Sequence, residues 1–327
     1  MAQRHMQSAL GALLVTGLVA LMPAGVGAQE VYPSRNIRMI VGYATGTGPD
    51  ILARFISEAI KKASGKTVIV ENKPGALTNI AAQAVVAAKP DGYTVFITAG
   101  NSTFAANPWL FKTIPFDPIK DFTPVTSLIK TPFAFAVPVD SPINSVAELT
   151  RVLKEKGTKA NYAYANSISL AASELYKQKT GVEALGVGYK SIPDSHAALA
   201  AGDVDFFVSD LTFVLGPNPR AKILALTVAE RSPVAPEIPS AREAGLEGFD
   251  LGAWWGIWLP AGAPQNVVDT LADIVDAAVA SEDSRKFFAT VGNQPWKGVR
   301  GEALKQYTID EMKKWGEAIK IAKVEPQ

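Results

Sequence analysis

One strand–loop–helix stretch near the start of the chain constrains the fold more than any other. It runs from Ile37 to Ile60 and begins with the apolar run Ile37–Val41, which is followed by a glycine-rich loop, Gly42–Pro49. After the loop, apolar residues recur every three or four positions, which predicts a helix. Pro49 suits the first helical turn, and Asp50 favours the positive end of the helix dipole. The stretch therefore predicts the first β–α unit of an α/β fold.

The glycine-rich loop has two interpretations, which the loop alone leaves open. A strand-to-helix turn leaves backbone N–H groups unpaired, and these groups can bind an anion. Many α/β proteins, however, need glycines at this place only to turn the chain. If the loop binds an anion, the residues that we expect to contribute are Tyr43, Thr45, Gly46, Thr47 and Gly48.

The rest of the chain repeats the alternation of strand and helix patterns, which indicates a parallel sheet with helices on both faces. A proline-punctuated passage that includes Asp121–Pro124 predicts an extended crossing. The further strands are predicted at Thr67–Glu71, Tyr93–Thr98, Thr131–Val137, Asn161–Ala165, Ala184–Val187, Val204–Val208, Ile223–Val228 and Trp254–Leu259. The further helices are predicted at Ile80–Ala88, Val146–Lys156, Leu170–Thr180, Ile192–Ala201, Ala241–Gly245, Asn266–Ala280, Glu282–Thr290 and Glu302–Ala322. For the Val146–Lys156 helix, Ser145 is the predicted N-cap and Glu148 its capping-box partner.

The length of the chain predicts two lobes, because 327 residues exceed the usual size of one domain. The alternation of strands and helices restarts near residue 160, and the Trp254–Leu259 strand has the pattern of a return to the first lobe. We therefore assign residues 29–131 and 246–327 to lobe 1 and residues 132–245 to lobe 2.

The first residues have the pattern of a secretory signal peptide. Arg4 and His5 are basic, Leu10–Leu21 is mostly apolar, and Val26-Gly27-Ala28 is a small-x-small cleavage site. An uncleaved anchor would need a longer apolar span. We therefore expect residues 1–28 to be removed, and the mature protein to begin at Gln29 and to be soluble in the periplasm.

Composition excludes several kinds of partner and chemistry. The formal net charge is +1, so the chain lacks the basic excess that nucleic-acid binding requires. Cysteine is absent, which excludes disulfides, a thiolate nucleophile, cysteine-ligated metals and a lipid-modified cysteine. The mature chain has one histidine, His196, within a helical pattern, so a His-rich zinc site and a Cys–His dyad are also excluded. We expect no cofactor and no metal.

Four polar loops follow predicted strands, and in open α/β sheets ligands bind at the carboxyl ends of the strands. Two facing lobes would bring these loops around one cleft, where hydroxyls, amides and N–H groups suit a carboxylate. Ordinary turn usage is the alternative for any single loop. Asp50 is expected at the helix end rather than on a ligand, and the role of Asp210 stays open between a ligand amine and the backbone. Besides the first loop, the candidate ligand-binding residues are Asn101, Ser102 and Thr103, then Asn166, Ser167 and Ser169, then Ser209 and Asp210.

Two partial motif matches are rejected. Gly46-Thr47-Gly48 after a strand half-matches a dinucleotide-binding fingerprint, but Ile51 stands where the third glycine belongs. Lys179-Thr180-Gly181 imitates one motif of the penicillin-recognising enzymes, yet it ends a predicted helix where that motif requires a strand.

Several short motifs spread over the mature chain resemble those of the periplasmic substrate-binding proteins of tripartite tricarboxylate transporters, the Bug proteins. The segments that carry the resemblance are Tyr32–Arg38, Asp50–Arg54, Val70–Ala76, Lys89–Thr94, Asn107-Pro108, Phe116–Pro118, Asp121–Val125, Gly188–Lys190 and Pro260–Pro264.

The resemblance implies a two-lobed type II periplasmic-binding fold, in which two Rossmann-like α/β domains are joined by a hinge. It also implies a monomer that carries a small organic acid to membrane permease subunits without chemistry on the solute. Ligands of the family include di- and tricarboxylates, amino acids and aromatic acids. The alternatives are a sensor that feeds a histidine kinase and an exported enzyme.

Three places depart from the family pattern, and all of them border the expected cleft. The first loop lacks the usual proline-rich run that ends in paired glycines, Leu77-Thr78 replaces two glycines, and Asn166–Leu170 lacks the usual histidine. These three departures predict a solute that differs from the usual dicarboxylates.

Overall fold

The computed structural model of the protein describes residues 32–211, 221–290 and 292–326, so the predicted signal peptide lies outside the described residues. Its frame is one ten-stranded mixed sheet. The strands are β1 Ile37–Val41, β2 Val68–Asn72, β3 Thr94–Ala99, β4 Phe122–Pro138, β5 Ala160–Tyr164, β6 Ala184–Gly188, β7 Phe206–Asp210, β8 Ala221–Leu226, β9 Gly252–Pro260 and β10 Gln294–Pro295.

Helices cover the sheet, and most of the predicted helices and strands are confirmed to within three residues at either end. No helix in the described ranges is long and apolar enough to cross a membrane. The helices are α1 Gly48–Ser64, α2 Asn79–Val86, α3 Asn107–Leu110, α4 Val146–Lys156, α5 Ser167–Thr180, α6 Ile192–Ala201, α7 Gln265–Ala280, α8 Glu282–Thr290 and α9 Gly301–Ile321, with 3₁₀ turns at Ala76–Thr78 and Gly157–Lys159 and a π-helix at Asn101–Ala106.

The sheet order is β2-β1-β3-β9-β4-β7-β5-β6, and β8 and β10 also pair with β4. The predicted parallel pairing is confirmed for β1 with β2 and β3, and for β5 with β6 and β7. It is wrong for β4 and β9, which run antiparallel to their neighbours. Neither strand is joined to a sheet neighbour by a β–α–β crossover. The helical segment Asn101–Leu110 leads from β3 to β4, which do not pair, and β9 follows β8 through turns.

Strand β4 lies in the middle of the sheet and pairs with strands on both sides of it. Its residues Phe122–Pro132 pair with β9, and Phe133–Pro138 pair with β7 and β8. We call β1, β2, β3 and β9 the first sheet half, and β5, β6, β7 and β8 the second sheet half. The chain between Pro132 and Phe133 is thus one place where the two halves are covalently joined.

The passage at Asp121–Pro124 is extended, as predicted, but it belongs to the sheet, because β4 already begins at Phe122. Proline has no N–H to donate to a neighbouring strand, which made this passage unlike a strand in sequence. The sheet accommodates Pro124 at an irregularity, where the register with β9 shifts between Pro124 and Thr126.

Two other predicted elements also need correction. Residues Ala99–Thr103 were expected as a polar loop, but Asn101–Ala106 form a π-helical turn that is buried and runs directly into α3. Residues Ala241–Gly245 were expected as a helix and form only turns. In both places burial and tertiary contacts decide the local structure, and these are not visible in a short apolar or polar pattern.

The predicted N-terminal cap of α4 is confirmed, with one change. The Ser145 hydroxyl accepts a hydrogen bond from the Glu148 N–H at 3.1 Å. The Glu148 carboxylate returns to the N–H of Asn144 at 2.6 Å, instead of that of Ser145. The cap therefore satisfies two backbone donors at the helix start, one of them a residue earlier than in the usual capping box.

One core cluster joins parts of both sheet halves. Leu110 of α3 and Trp315 of α9 belong to the same buried cluster as Leu175 of α5 and Phe206 of β7. The Trp109 indole N–H also donates to the Met312 carbonyl at 3.0 Å, which holds α3 against α9. The C-terminal helix therefore packs against α5 as well as against the helices of the first half.

The turn between β2 and α2 has an unusual backbone. Ala76, Leu77 and Thr78 have φ values of 44°, 49° and 80°, in the left-handed region. Neighbouring groups hold the turn in place. The Asn107 amide donates to the Leu77 carbonyl at 2.6 Å, and the Thr78 and Thr103 hydroxyls are 2.8 Å apart. Left-handed backbone costs about 1–2 kcal/mol per non-glycine residue, so the turn stores strain.

His196 has a structural environment. Its Nε2 is 2.8 Å from the Ser209 hydroxyl, and its ring packs edge-on against Phe207. Burial lowers the pKa of His196 to about 4, so the imidazole is neutral at ordinary pH. The ring therefore ties α6 to the end of β7.

We expect Leu77→Gly to leave the free energy of unfolding unchanged or slightly higher, and Leu77→Val to lower it by about 1–2 kcal/mol. Glycine relieves the left-handed strain at a similar entropic cost, whereas a β-branched residue increases the strain. Urea unfolding at neutral pH measures both changes.

Leu185 is the matched control for Leu77, because it lies in strand β6 and is 68% exposed. At this position we expect the glycine variant to be less stable than the valine variant, because glycine costs about 0.5–1 kcal/mol in a strand, whereas valine is well suited to a strand. If Leu77→Gly and Leu185→Gly destabilise equally, the left-handed turn does not carry strain.

The neutral buried His196 predicts a loss of stability in mild acid. Below about pH 6.5 the unfolded chain binds a proton at this histidine, and the folded protein does not until about pH 4. Stability therefore falls as the pH drops through this window. We expect His196→Gln, which can keep a bond to Ser209, to reduce the stability difference between pH 7.5 and pH 5 by about 1–2 kcal/mol. Urea unfolding of both proteins at the two pH values tests this, and an unchanged difference would contradict it.

Candidate ligand-binding site

Two adjoining cavities lie along one cleft and share Tyr43, Asn166 and Ile192. We call the first the aromatic cavity and the second the Lys190 cavity. The shared residues are joined in the aromatic cavity by Gly48, Pro49, Leu52, Ala99, Thr131, Phe133, Ile168, Ala253, Trp255 and Asn293, and in the Lys190 cavity by Gly42, Ala44, Thr47, Pro74–Thr78, Ser102, Phe111, Ala165, Tyr189, Lys190 and Ser191.

The amino ends of three helices border these cavities. Helix α1 begins beside them at Thr47 and Gly48, α5 at Asn166, and α6 at Ser191 and Ile192. The first N–H groups of a helix have no partner within it, and the helix dipole places partial positive charge at that end. Three such ends around one space create a positive electrostatic environment without a charged side chain.

The start of α1 keeps its own carboxylate away from the cavities. Asp50 accepts hydrogen bonds from the Gly46 N–H at 2.9 Å, the Asn72 amide at 2.9 Å and the Arg54 guanidinium at 3.0 Å. Burial disfavours the charged form, but these donors outweigh it and lower the pKa of Asp50. The expected helix-end role of Asp50 is confirmed, because Asp50 lies in the first turn of α1 and bonds the Gly46 N–H there. Its charge is compensated by Arg54.

The five candidate residues of the first loop do not all reach the cavities. Tyr43 lines both cavities, Gly48 lines the aromatic cavity and Thr47 lines the Lys190 cavity. The Thr47 hydroxyl donates to the Ala44 carbonyl at 2.7 Å. Thr45 and Gly46 are exposed outside both linings, and the Thr45 hydroxyl donates to Asn72 at 3.1 Å. The loop therefore presents a ring, a hydroxyl oxygen and backbone to the cleft.

Of the three candidates after β3, Ser102 lines the Lys190 cavity and the other two do not line either cavity. The Thr103 hydroxyl lies 2.8 Å from that of Thr78 and 2.7 Å from that of Thr98. The Asn101 carboxamide oxygen accepts a hydrogen bond from the backbone N–H of Trp254 at 3.3 Å. Because both side chains are fully buried, they support the wall of the cleft from behind.

In the second sheet half, Asn166 lines both cavities and caps α5. Its carboxamide oxygen accepts from the Ser169 N–H at 2.9 Å and from the Ser169 hydroxyl at 3.1 Å. Ser169 is fully buried in this capping box, and Ser167 is the first residue of the helix. The Ser209 hydroxyl bonds His196, and Asp210 ends β7 opposite Phe133, which lines the aromatic cavity. Among the candidates of this half whose side chains are described, Asn166 lines the cavities, whereas Ser169 and Ser209 are buried and line neither.

Several lining residues were not among the predicted candidates. Trp255 is one of them, and its ring lies 5.5 Å from that of the candidate Tyr43, at an angle of 47°. Phe133, which lines the same cavity, is another. The Thr131 hydroxyl donates to the Asn293 carboxamide at 2.7 Å, although the two residues are 162 positions apart in the chain. The sequence analysis identified Trp254–Leu259 only as a strand, and no local signal marks Asn293.

The described part of the chain contains no group of three or more His, Asp or Glu residues that could hold a metal ion. The polar side chains at the cavities are hydroxyls and amides, with Lys190 as the one charged group among the described lining residues. This set can hydrogen-bond an anion and orient it, and it presents no pair of acid and base groups for catalysis.

Two sequence comparisons agree with this architecture. The family model described as the tripartite tricarboxylate transporter family receptor matches residues 52–324. A UPF0065 protein of Bordetella bronchiseptica is 34% identical over 290 residues, which covers 88% of this chain and 86% of the relative. The protein BugT of Bordetella pertussis is 24% identical over 318 residues, which covers 94% and 96%.

Solved structures show the same fold. A Rhodopseudomonas palustris protein solved with adipate has a TM-score of 0.85 and 28% identity, covering 90% of this chain and all of that one. The periplasmic binding protein BugD has a TM-score of 0.83 and 30% identity over 90% and 100% of the two chains. MatC of Rhodopseudomonas palustris, solved with malate, has a TM-score of 0.81 and 30% identity over 88% and 100%. The predicted α/β periplasmic-binding fold is thus confirmed, and the chain belongs to the tripartite tricarboxylate transporter receptor family.

Proposed function

We propose that this protein is a periplasmic solute receptor that binds a small organic carboxylate in the cleft and delivers it to a membrane permease. The observation that carries the proposal is that the amino ends of α1, α5 and α6 border the same pair of cavities. Helix amino ends are anion-binding sites because their N–H groups point at the ligand and the dipole favours negative charge.

The lining chemistry favours binding and release over reaction. The carboxylate meets N–H groups, hydroxyls and amides, which hold it by hydrogen bonds without a covalent step. The transporter receptors to which the chain belongs support the same role, as do the neighbours solved with adipate and malate. We therefore propose a non-enzymatic receptor that acts as a monomer in the periplasm.

We further propose that two lobes close on the ligand, with lobe 1 at residues 29–131 and 246–327 and lobe 2 at residues 132–245. The change of strand partners between Pro132 and Phe133 supports the first boundary. The Leu251 N–H donates to the Thr227 carbonyl at 2.8 Å, so contacts with the second sheet half continue past residue 245. The second hinge of the proposal therefore lies between Gly245 and Gly252, where β9 begins.

Carboxylate binding is tested by calorimetric titration with malate, adipate and benzoate. For any acid that binds, we expect Thr47→Ala and Ser102→Ala, both at residues that line the Lys190 cavity, to raise the Kd about 5- to 10-fold, the effect of losing about one hydrogen bond. The thermal midpoint of each unliganded variant reports whether it remains folded.

Thr45→Ala is the matched control, because Thr45 lies two residues from Thr47 and lines neither cavity. Its Kd should stay within about twofold of the original protein. If no acid binds, or if Thr45→Ala weakens binding as much as the other two variants, the proposed site is wrong.

Closure is tested with pairs of spin labels, which the absence of cysteine makes site-specific. Labels at Thr45→Cys and Glu183→Cys lie in the two proposed lobes, and their distance should shorten when a binding acid is added. Labels at Lys159→Cys and Asp203→Cys lie in one lobe, and their distance should stay constant. An unchanged distance for the first pair at saturating ligand would contradict hinge closure.

A further inference from the structure

The aromatic cavity is built mainly from apolar side chains. Tyr43, Trp255 and Phe133 supply three rings, and Leu52, Ile168 and Ile192 supply aliphatic surface. The Tyr43 and Trp255 rings meet at 47°, so they form a corner rather than a flat wall. A corner of this kind contacts a ring or a branched hydrocarbon on two sides, which is the arrangement that aromatic groups favour.

The polar side chains that line the aromatic cavity are uncharged and engaged with other residues. Thr131 donates to Asn293 at 2.7 Å, and Asn166 accepts two hydrogen bonds from Ser169. Among the described lining residues this cavity contains no cation. A carboxylate placed against the rings and aliphatic side chains of this cavity would lose its hydration without gaining an ion pair, which is costly.

The Lys190 cavity has the opposite character. Lys190 is exposed, makes no ion pair with any described residue, and is accompanied by the hydroxyl-bearing residues Thr47, Ser102 and Ser191. No acidic residue is among the described residues that line either cavity. A single negative charge is therefore favoured at this cavity and along the border that it shares with the aromatic cavity.

From this contrast we propose that the preferred ligand is a monocarboxylate with an aromatic or bulky apolar body. The body contacts Trp255, Tyr43 and Phe133, and the carboxylate lies at the border of the two cavities, towards Lys190. This inference rests on the proposed carboxylate-receptor function and narrows its substrate class. A short dicarboxylate fits less well, because its second charge would enter the apolar cavity.

The experiment compares the Kd values of benzoate, phenylacetate, malate, adipate and benzamide by calorimetric titration of the same protein. We expect an aromatic acid to bind at least tenfold more tightly than malate and adipate, and benzamide to bind at least tenfold more weakly than benzoate. Equal or tighter binding of malate or adipate overturns the inference and leaves the carboxylate-receptor function standing.

Two further outcomes of the titrations show which of the two proposals fails. If benzamide binds as tightly as benzoate, the aromatic contact stands, and the carboxylate-receptor function and the placement of the carboxylate fail. If none of the five compounds binds, the inference fails together with the proposed function.

Variants locate the two parts of the ligand. Trp255→Leu should weaken the aromatic acid at least fivefold and change adipate less than twofold. Because Trp255 also packs in the core, Tyr43→Leu repeats the test from a half-buried position. Trp296→Leu is the matched control, since this partly buried indole lies outside both linings. If neither Trp255→Leu nor Tyr43→Leu weakens the aromatic acid more than the control does, the body lies elsewhere.

Lys190→Gln tests the position of the charge. It should weaken benzoate about three- to tenfold in low salt, and less in high salt, because an exposed charge is screened. Lys89→Gln removes an exposed lysine that lines neither cavity, and it should have no effect. Equal effects of the two variants would overturn the placement of the carboxylate towards Lys190.

Discussion

The antiparallel pairing of β4 is the interaction on which the rest of the structure depends. One continuous strand pairs with β9 up to Pro132 and with β7 and β8 from Phe133 onwards. The parallel β–α units on either side are thereby fixed to a common frame. Thr131, one residue before the change of partners, lines the aromatic cavity, so the joint between the sheet halves is also part of the wall of the candidate site.

The helix ends and the core have complementary effects on the cleft. The amino ends of α1, α5 and α6 converge on it, and the carboxylate that would oppose an anion there, Asp50, is compensated by Arg54. Behind the cleft, α9 packs against α5 in a cluster that also contains Leu110. Any closing motion must preserve or slide this contact, because buried apolar surface is too costly to expose.

Regular elements were predictable where a local pattern coincides with the final structure. The strand at Ile37–Val41 and the helices at Val146–Lys156 and Glu282–Thr290 were predicted with the bounds that the structure has. Prediction failed where distant contacts decide. Asn101 and Thr103 are polar residues that follow a strand, yet buried bonds to Trp254, Thr78 and Thr98 turn them inward. A polar sequence alone does not show whether its side chains face the cleft or the interior of the protein.

The sequence by itself determined the β–α units, the helix caps and the family, because each depends on residues close together in the chain or on motifs that keep their order. Only the tertiary structure decided the antiparallel course of β4 and β9 and the composition of the cleft. Trp255 meets Tyr43, and Asn293 meets Thr131, across more than 150 positions of chain. Such contacts arise when the sheet assembles, since strand order and packing rather than local sequence bring these side chains together.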